Sequence, residues 1–139
     1  VCRDNQIEMK FNIGGGKIQS SSSLVSTTVE KPWGSYKTFE KDKDYLLKII
    51  TVNPGEKLSL QSHQHRSEQW LIISGIATVE CDGTISYLNR NESIYIPQCS
   101  KHRLSNENKE VLKVFEAQYG DKLSESDIIR YQDEYDRVE

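Results

Sequence analysis

The sequence predicts an all-β domain, either a barrel or a sandwich. Short runs of β-branched and apolar residues recur along the chain, separated by Gly, Pro, Asp or Asn. Tyr45 to Val52 is one such run. Ile76 to Cys81 and Thr84 to Leu88 flank Asp82-Gly83, a dipeptide favoured in two-residue hairpins. Many short strands with turn signals at short spacing are typical of these two architectures.

Folded structure is expected to start near Val29. Further strands are predicted where large apolar residues alternate with small or polar ones, or where an apolar run stops at turn residues. These segments are Trp33 to Phe39, Lys57 to His65, Gln69 to Ser74, Glu92 to Ile96 and Val111 to Tyr119.

The two ends of the chain have a different character. Residues 1–28 contain Gly14-Gly15-Gly16 and the run Ser20 to Ser23, a composition typical of a flexible linker or N-terminal extension. Residues 29–139 are predicted to form the folded domain. At its end, Ser124 is a good N-cap with Asp127 three residues later, which predicts a short C-terminal helix from about Glu125 to Tyr135.

Charge and composition exclude several classes of function. The 139 residues carry 18 Lys and Arg against 21 Asp and Glu, a net charge of −3, which argues against a general nucleic-acid binder. No apolar run approaches the roughly 18 residues of a membrane span. The scattered cysteines Cys2, Cys81 and Cys99 form no disulfide framework, so we expect a reduced, cytoplasmic protein.

A cluster of potential metal ligands lies in the middle of the chain. In a strand, Gln61, His63 and His65 would share one face, and Glu68 follows across a short turn. Imidazole nitrogens with carboxylate and amide oxygens suit zinc, iron, manganese or nickel. The alternative is a polar surface hairpin unrelated to the third histidine, His102.

The spacing of this cluster resembles the two motifs of the cupin family. Gly55, Gln61, His63, Glu68 and Gly75 follow the order and intervals of the first motif, with Gln61 in place of its first histidine. Pro97, Cys99, His102 and Asn106 follow the order and intervals of the second motif. Asn91 and Cys99 stand where that motif has glycine turns. The resemblance implies an all-β cupin fold, the double-stranded β-helix or jelly-roll barrel.

A more specific resemblance is to the type II phosphomannose isomerases. The stretch from Gly55 to Trp70, followed by Ser74-Gly75, is similar to their signature. Further similar segments are Lys31 to Tyr36, Tyr95 to Pro97, His102 to Leu104, Gln118 to Gly120 and Asp127 to Tyr131. The similarity covers about residues 30–137, with Gln69 and Asp136 departing from the family pattern. In that family this region is the C-terminal domain of bifunctional mannose-6-phosphate isomerase/mannose-1-phosphate guanylyltransferases.

That resemblance implies a metal-dependent isomerase that interconverts mannose 6-phosphate and fructose 6-phosphate. The implied ligands of one divalent ion, zinc in this family, are Gln61, His63, Glu68 and His102. His65 is a candidate base, because it would lie on the same strand face as His63 and one step beyond it. Arg66 lies in the isomerase signature and is a candidate partner of the phosphate or the enediolate. His65 could instead be a fifth ligand, or a residue that supports the ligands without touching the ion. Arg66 could instead be a solvated turn residue. Lys57, Lys101 and Arg103 are candidate substrate-binding cations near the motifs.

Other functions remain open at this stage. The domain could be a non-catalytic sugar-phosphate sensor, or a partner of a mannose-1-phosphate guanylyltransferase, because a fold does not by itself determine function. Another metal-dependent cupin enzyme, such as a dioxygenase, is disfavoured by Gln61 and by the extended isomerase signature. The expected substrate is a phosphorylated hexose, with neither nucleic acid nor membrane as a partner. Because cupins commonly pair through their sheets, the resemblance also implies a homodimer.

Overall fold

The computed structural model describes residues 27–124 and 126–132, which form eleven strands in two antiparallel sheets. The strands are β1 (Thr28–Lys31), β2 (Gly34–Lys41), β3 (Tyr45–Val52), β4 (Leu60–Ser62), β5 (Arg66–Ser74), β6 (Ala77–Cys81), β7 (Thr84–Leu88), β8 (Ser93–Ile96), β9 (His102–Ser105), β10 (Leu112–Gly120) and β11 (Ile129–Gln132). The larger sheet has the order β1-β2-β3-β10-β5-β8, and the smaller has β11-β4-β9-β6-β7. The prediction of an all-β domain is confirmed.

The inner faces of the two sheets pack against each other to form the core. Ile50, Trp70 and Val114 come from the larger sheet, and Val79 and Leu104 come from the smaller one. They belong to one buried cluster, because alternate side chains of each strand point to the same face. No helix in the described residues is long and apolar enough to cross a membrane.

The inner face of the larger sheet changes from apolar to charged along its strands. Neighbouring positions on β3, β10 and β5 form three successive rows: Ile50, Val114 and Ile72; then Lys48, Glu116 and Trp70; then Leu46, Gln118 and Glu68. Every one of these residues is buried. One end of the barrel therefore has an apolar interior, while the other carries buried charged and polar groups.

Left-handed backbone conformations form the predicted turns. Asp82 and Gly83 have φ values of 51° and 87°, as a two-residue hairpin between β6 and β7 requires. Asn91 and Cys99, the two replacements for family glycines, have φ values of 75° and 71°. Both turns therefore form without glycine. At the second turn the Cys99 N–H donates a hydrogen bond of 2.8 Å to the carbonyl of His63.

The prediction of a C-terminal helix is wrong for the residues that the structure describes. Ser124 does form capping bonds, to the backbone N–H groups of Ser126 and Asp127, but they close a single turn. The chain then extends into β11, which pairs with β4. This pairing satisfies backbone groups along an edge of the smaller sheet, so tertiary pairing outweighs the local helix signal. Glu125 and residues 133–139 lie outside the described part.

Other sequence predictions differ in extent. The segment from Lys57 to His65 contains only the three-residue strand Leu60–Ser62, so strand alternation does not reach His65. The strand His102–Ser105 was not predicted, because its mixture of polar and apolar residues gives no clear period. The proposed linker falls almost wholly on residues 1–26, which are outside the described part, and β1 begins at Thr28.

Gly120 allows a close approach between the end of β10 and the start of β5. It lies opposite Arg66, and a Cβ atom at this position would be 2.1 Å from the carbonyl oxygen of His65. A backbone atom cannot move aside as a flexible side chain can. The missing side chain therefore helps to determine where the turn that leads into Arg66 lies.

We predict that Gly120→Ala destabilises the protein by about 3 kcal/mol, because the added methyl overlaps rigid backbone. The matched control is Gly83→Ala, which has a φ of 87° but no atom within 4 Å of the added Cβ. It should cost only about 1 kcal/mol of left-handed strain. Urea unfolding of both variants measures the difference, and equal losses would contradict the role given to Gly120.

Candidate metal centre and adjoining cavity

Both sheets contribute to a buried group of potential metal ligands. His102 begins β9 and lies directly opposite Gln61 of β4 in the smaller sheet. Glu68 comes from β5 of the larger sheet. His63 lies on the turn that joins β4 to β5. Because the two sheets pack face to face, the two cupin-like motifs come together.

Three of these side chains are close enough to share one ion. The Nε2 atom of His63 is 3.3 Å from Oε2 of Glu68, and Nε2 of His102 is 3.9 Å from Oε1. The potential ligand atoms of the three residues all lie within 4.8 Å of one another. Each residue is at most 3% exposed, so water competes little for this position.

Backbone carbonyls set the orientation of both imidazole rings. Nδ1 of His63 is 2.7 Å from the carbonyl oxygen of Asp127, and Nδ1 of His102 is 3.0 Å from that of Ser100. A carbonyl can only accept, so each Nδ1 carries a proton, and Nε2 is the ring atom that can offer a lone pair to an ion. Burial also lowers the pKa of His63 to about 4, which keeps the ring neutral at pH 7. This arrangement is typical of histidines that bind metals.

Asp127 holds the turn that carries His63. Its carboxylate accepts hydrogen bonds of 3.0 Å from the backbone N–H groups of Gln64 and His65. Burial opposes ionisation of Asp127, but these two bonds outweigh it and lower the pKa of the carboxyl. The sequence suggested a helix-capping role for this residue. Its carboxylate and its carbonyl instead contact a turn more than 60 residues away in the sequence.

Arg66 and Trp70 compensate the buried charge of Glu68. Trp70 Nε1 donates to Oε1 and Arg66 Nε donates to Oε2, both at 2.9 Å. Burial alone would raise the pKa of Glu68, but Arg66 and the neighbouring histidines hold it well below its usual value. Arg66 also places Nη2 3.1 Å from Nε2 of His63. A bound ion would replace that contact, since both use the same lone pair.

The donor set fits a divalent metal ion. It provides two imidazole Nε2 atoms that face one ionised carboxylate. Gln61 lies beside His102, and its amide nitrogen donates to the Ser59 hydroxyl at 2.9 Å. Of its two amide atoms, the oxygen is therefore the one suited to a cation.

A cavity adjoins this group, and positive charge dominates its lining. Among the described residues it is lined by five cationic side chains and two carboxylates: Lys31, Lys48, Arg66, Arg103, Arg130, Glu68 and Glu116. Gln61 and His102 also line it. Such a cavity favours an anionic ligand.

Four of the sequence-predicted residues do not line the cavity in the described structure: His63, His65, Lys57 and Lys101. His63 nevertheless belongs to the ligand group, because its Nε2 atom lies 3.3 Å from Glu68. The Lys101 ammonium instead lies 4.4 Å from the centre of the Tyr131 ring. Arg103 does line the cavity, and its guanidinium also donates to the Leu58 carbonyl. His65 lies after the end of β4, so it does not share a strand face with Gln61 as the sequence predicts.

Lys48, Glu116 and Arg130 line the cavity but were missed from the sequence. Lys48 and Glu116 interrupt the apolar runs of β3 and β10 at inward-facing positions, a signal that the sequence did contain. Arg130 lies opposite Gln61, on the strand that was predicted as a helix. Its Nε atom is buried and has no hydrogen-bond partner among the described residues. This nitrogen can therefore donate a hydrogen bond to a ligand in the cavity.

Comparison with known sequences connects this geometry to a family. The family model described as Mannose-6-phosphate isomerase C-terminal matches residues 19–133. The chain is 47% identical over 110 residues to the alginate biosynthesis protein AlgA of Pseudomonas putida, covering 79% of this chain and 23% of that protein. It is 45% identical over 114 residues to the mannose-1-phosphate guanylyltransferase of Escherichia coli K12, covering 82% and 24%. The chain thus spans about a quarter of the length of these relatives.

Solved structures show the same fold at low sequence identity. The capsular polysaccharide assembling protein CapF from Staphylococcus aureus superposes with a TM-score of 0.69 at 16% identity, covering 76% of this chain and 34% of that one. An RmlC-like cupin from Shewanella frigidimarina gives 0.64 at 14% identity, covering 73% and 87%. The predicted cupin fold is confirmed. With a matching family model over most of its length, the chain belongs to the mannose-6-phosphate isomerase C-terminal family.

Proposed function

We propose that this protein is a metal-dependent aldose–ketose isomerase that interconverts mannose 6-phosphate and fructose 6-phosphate. The observation that carries the proposal is a buried group of His63, Glu68 and His102, of which Glu68 and His102 line a cavity rich in cations. The family match favours a hexose phosphate as the substrate.

The chain's own residues would position the ion and the substrate. The metal would be held by His63, Glu68 and His102, with Gln61 as a fourth ligand. We propose zinc as the ion. When bound, the ion supplies Lewis acidity at the sugar carbonyl. Arg66, freed from His63, would remain beside Glu68 and face the oxygen on which negative charge develops. Water is restricted because the ligands are buried.

The phosphate would bind at the side of the cavity formed by β9 and β11. Arg103 and Arg130 both line the cavity there, and the unsatisfied Nε of Arg130 gives a donor for a phosphate oxygen. Planar guanidinium groups suit phosphate because they can donate two parallel hydrogen bonds.

The relatives support a biosynthetic role for the proposed reaction. An alginate biosynthesis protein and a mannose-1-phosphate guanylyltransferase carry a similar region, so we propose a role in supplying GDP-mannose for polysaccharide synthesis. Cys81 and Cys99, the cysteines of the described part, are free thiols. This supports our placement of the protein in the reducing cytoplasm.

We also propose that the protein forms a homodimer through the outer face of its larger sheet. Ile49, Phe115 and Leu71 occupy neighbouring positions across three strands, and Phe39 stacks on Phe115 with 6.3 Å between ring centres. Leu71 is 37% exposed and Phe39 41%. A second copy would cover these apolar side chains.

Leu71→Arg should convert the dimer into a monomer, because the new charge would be buried in the proposed interface. Tyr87→Arg is the control, since Tyr87 is exposed on the smaller sheet. Sedimentation equilibrium measures the mass of both variants. A wild-type monomer, or a dimeric Leu71→Arg protein, would contradict this interface.

Metal removal should abolish the isomerase activity. We expect one divalent ion per chain, turnover of mannose 6-phosphate in a coupled assay, loss of turnover with chelator and recovery with zinc, cobalt or manganese. His63→Ala should weaken metal binding by at least about 100-fold, since it removes a ligand. Gln64→Ala, the exposed neighbour on the same turn, is the control. Tight metal binding without turnover would instead favour a non-catalytic sugar-phosphate sensor.

Loss of the Arg130 guanidinium should weaken substrate binding. We predict that Arg130→Gln raises KM for mannose 6-phosphate by roughly tenfold or more, the effect of one lost charge-assisted hydrogen bond. Arg90→Gln removes the same charge from an exposed loop and should leave KM unchanged. An unchanged KM in Arg130→Gln would contradict phosphate binding by this residue.

A further inference from the structure

We propose that Glu116 is the catalytic residue that transfers the proton between carbons 1 and 2 of the open-chain sugar phosphate. The inference rests on the proposed isomerase function and deepens it. It assigns the acid–base role to a buried carboxylate on β10, one of the two central strands of the larger sheet.

Its position on the sheet places Glu116 beside the metal group, by which we mean the potential ligands His63, Glu68 and His102. Glu116 and Gln118 point to the same face of β10, and Gln118 lies opposite Glu68. Two residues along a strand span about 7 Å, so the Glu116 carboxylate lies one row from Glu68. Both carboxylates line the same cavity. A sugar whose carbonyl end meets the metal group would extend along this row.

The contacts of Glu116 leave one of its oxygens for a substrate. Lys48 Nζ is 3.9 Å from Oε2, and the Gln118 amide nitrogen donates to the same oxygen. Among the hydrogen bonds and ion pairs of the described residues, those of Glu116 all involve Oε2. Lys48 and Gln118 therefore orient the carboxylate, while Oε1 is the atom that can approach a carbon-bound proton.

Stability alone gives no reason for a charged pair at this position. The same row continues to Trp70, and the next row toward the apolar end contains Ile50, Val114 and Ile72. A buried ion pair is often no more stabilising than apolar residues of similar volume. Charge compensation of the metal group does not require Glu116 either, because Arg66 already pairs with Glu68.

Glu116 is also chemically suited to accept and return a proton. Burial, followed by the nearby charge of Glu68, raises its pKa to about 7. A base with a pKa near the working pH is the most effective proton shuttle. Of the carboxylates that line the cavity in the described part of the chain, Glu116 is the one outside the metal group.

The proposed step balances without a further reactant. The Glu116 carboxylate removes the proton from carbon 2, the C2–H electron pair forms the C1=C2 double bond, and the carbonyl pair moves to oxygen 1. The proton of the carbon 2 hydroxyl then passes to oxygen 1. The Glu116 carboxylic acid returns its proton to carbon 1 while the C2=O bond forms, which gives the ketose and restores the carboxylate.

The test compares Glu116→Gln and Glu116→Asp with the wild-type chain, each loaded with metal. Glu107→Gln, a substitution on an exposed loop, is the matched control. The readouts are kcat and KM, incorporation of solvent deuterium at carbon 2 of recovered mannose 6-phosphate, metal content per chain, and the unfolding midpoint. Carbon 2 exchange reports the proton step even where net turnover is slow.

We expect Glu116→Gln to lose at least about 100-fold in kcat, the scale of general-base catalysis, and to stop carbon 2 exchange. Its KM should change by less than about threefold, since the substrate is held elsewhere. It should still bind one ion and unfold cooperatively. Glu116→Asp retains a carboxylate that is one methylene shorter, so its kcat should lie between those of the wild type and Glu116→Gln.

The outcomes separate this inference from the proposed function. An active wild type together with a fully active Glu116→Gln overturns the role of Glu116 and leaves the isomerase proposal standing. A wild type that binds metal but shows neither turnover nor exchange overturns both. If Glu116→Gln does not fold, Glu116→Asp decides: reduced kcat with intact metal binding supports the role, and wild-type kcat overturns it.

Discussion

The buried carboxylate of Glu68 is the group on which the arrangement of the site depends. It lies in the larger sheet, yet its oxygens face His63 and His102 on the smaller-sheet side of the barrel. A buried carboxylate is tolerated only when charge and hydrogen bonds compensate it. Arg66 and Trp70 provide that compensation from alternate positions of the same strand, so β5 carries both the charge and most of its support.

A second constraint comes from the last described strand. β11 pairs with β4, and the turn before it presents Asp127 to the segment that carries His63. The side chain of Asp127 holds this turn, while its carbonyl determines the tautomer of the histidine ring. The C-terminal part of the chain therefore helps to orient the metal group. It also brings Arg130 into the cavity.

The cavity combines features that point to one kind of ligand. A metal held by Glu68 and His102 would suit a carbonyl oxygen, and the arginines of the cavity would suit a phosphate. The inner face of the cavity also contains the Lys48–Glu116 pair. A sugar phosphate in its open-chain form has groups that match all three. In the proposed step Glu116 would need no contact with a metal, because the row that it occupies runs alongside the row that contains Glu68.

The sequence by itself determined the strands whose pattern is local, and it identified three residues that the structure brings together as potential metal ligands. Tyr45–Val52 and Thr84–Leu88 were predicted with their observed bounds, because β-branched runs and an Asp-Gly turn act over a few residues. Motif spacing identified His63, Glu68 and His102. Only the tertiary structure decided that residues after Asp127 form a strand, that His65 lies outside the cavity lining, and that Glu116 and Arg130 line it. These outcomes depend on which strands pair and which faces meet, and such contacts join segments that are far apart in the chain.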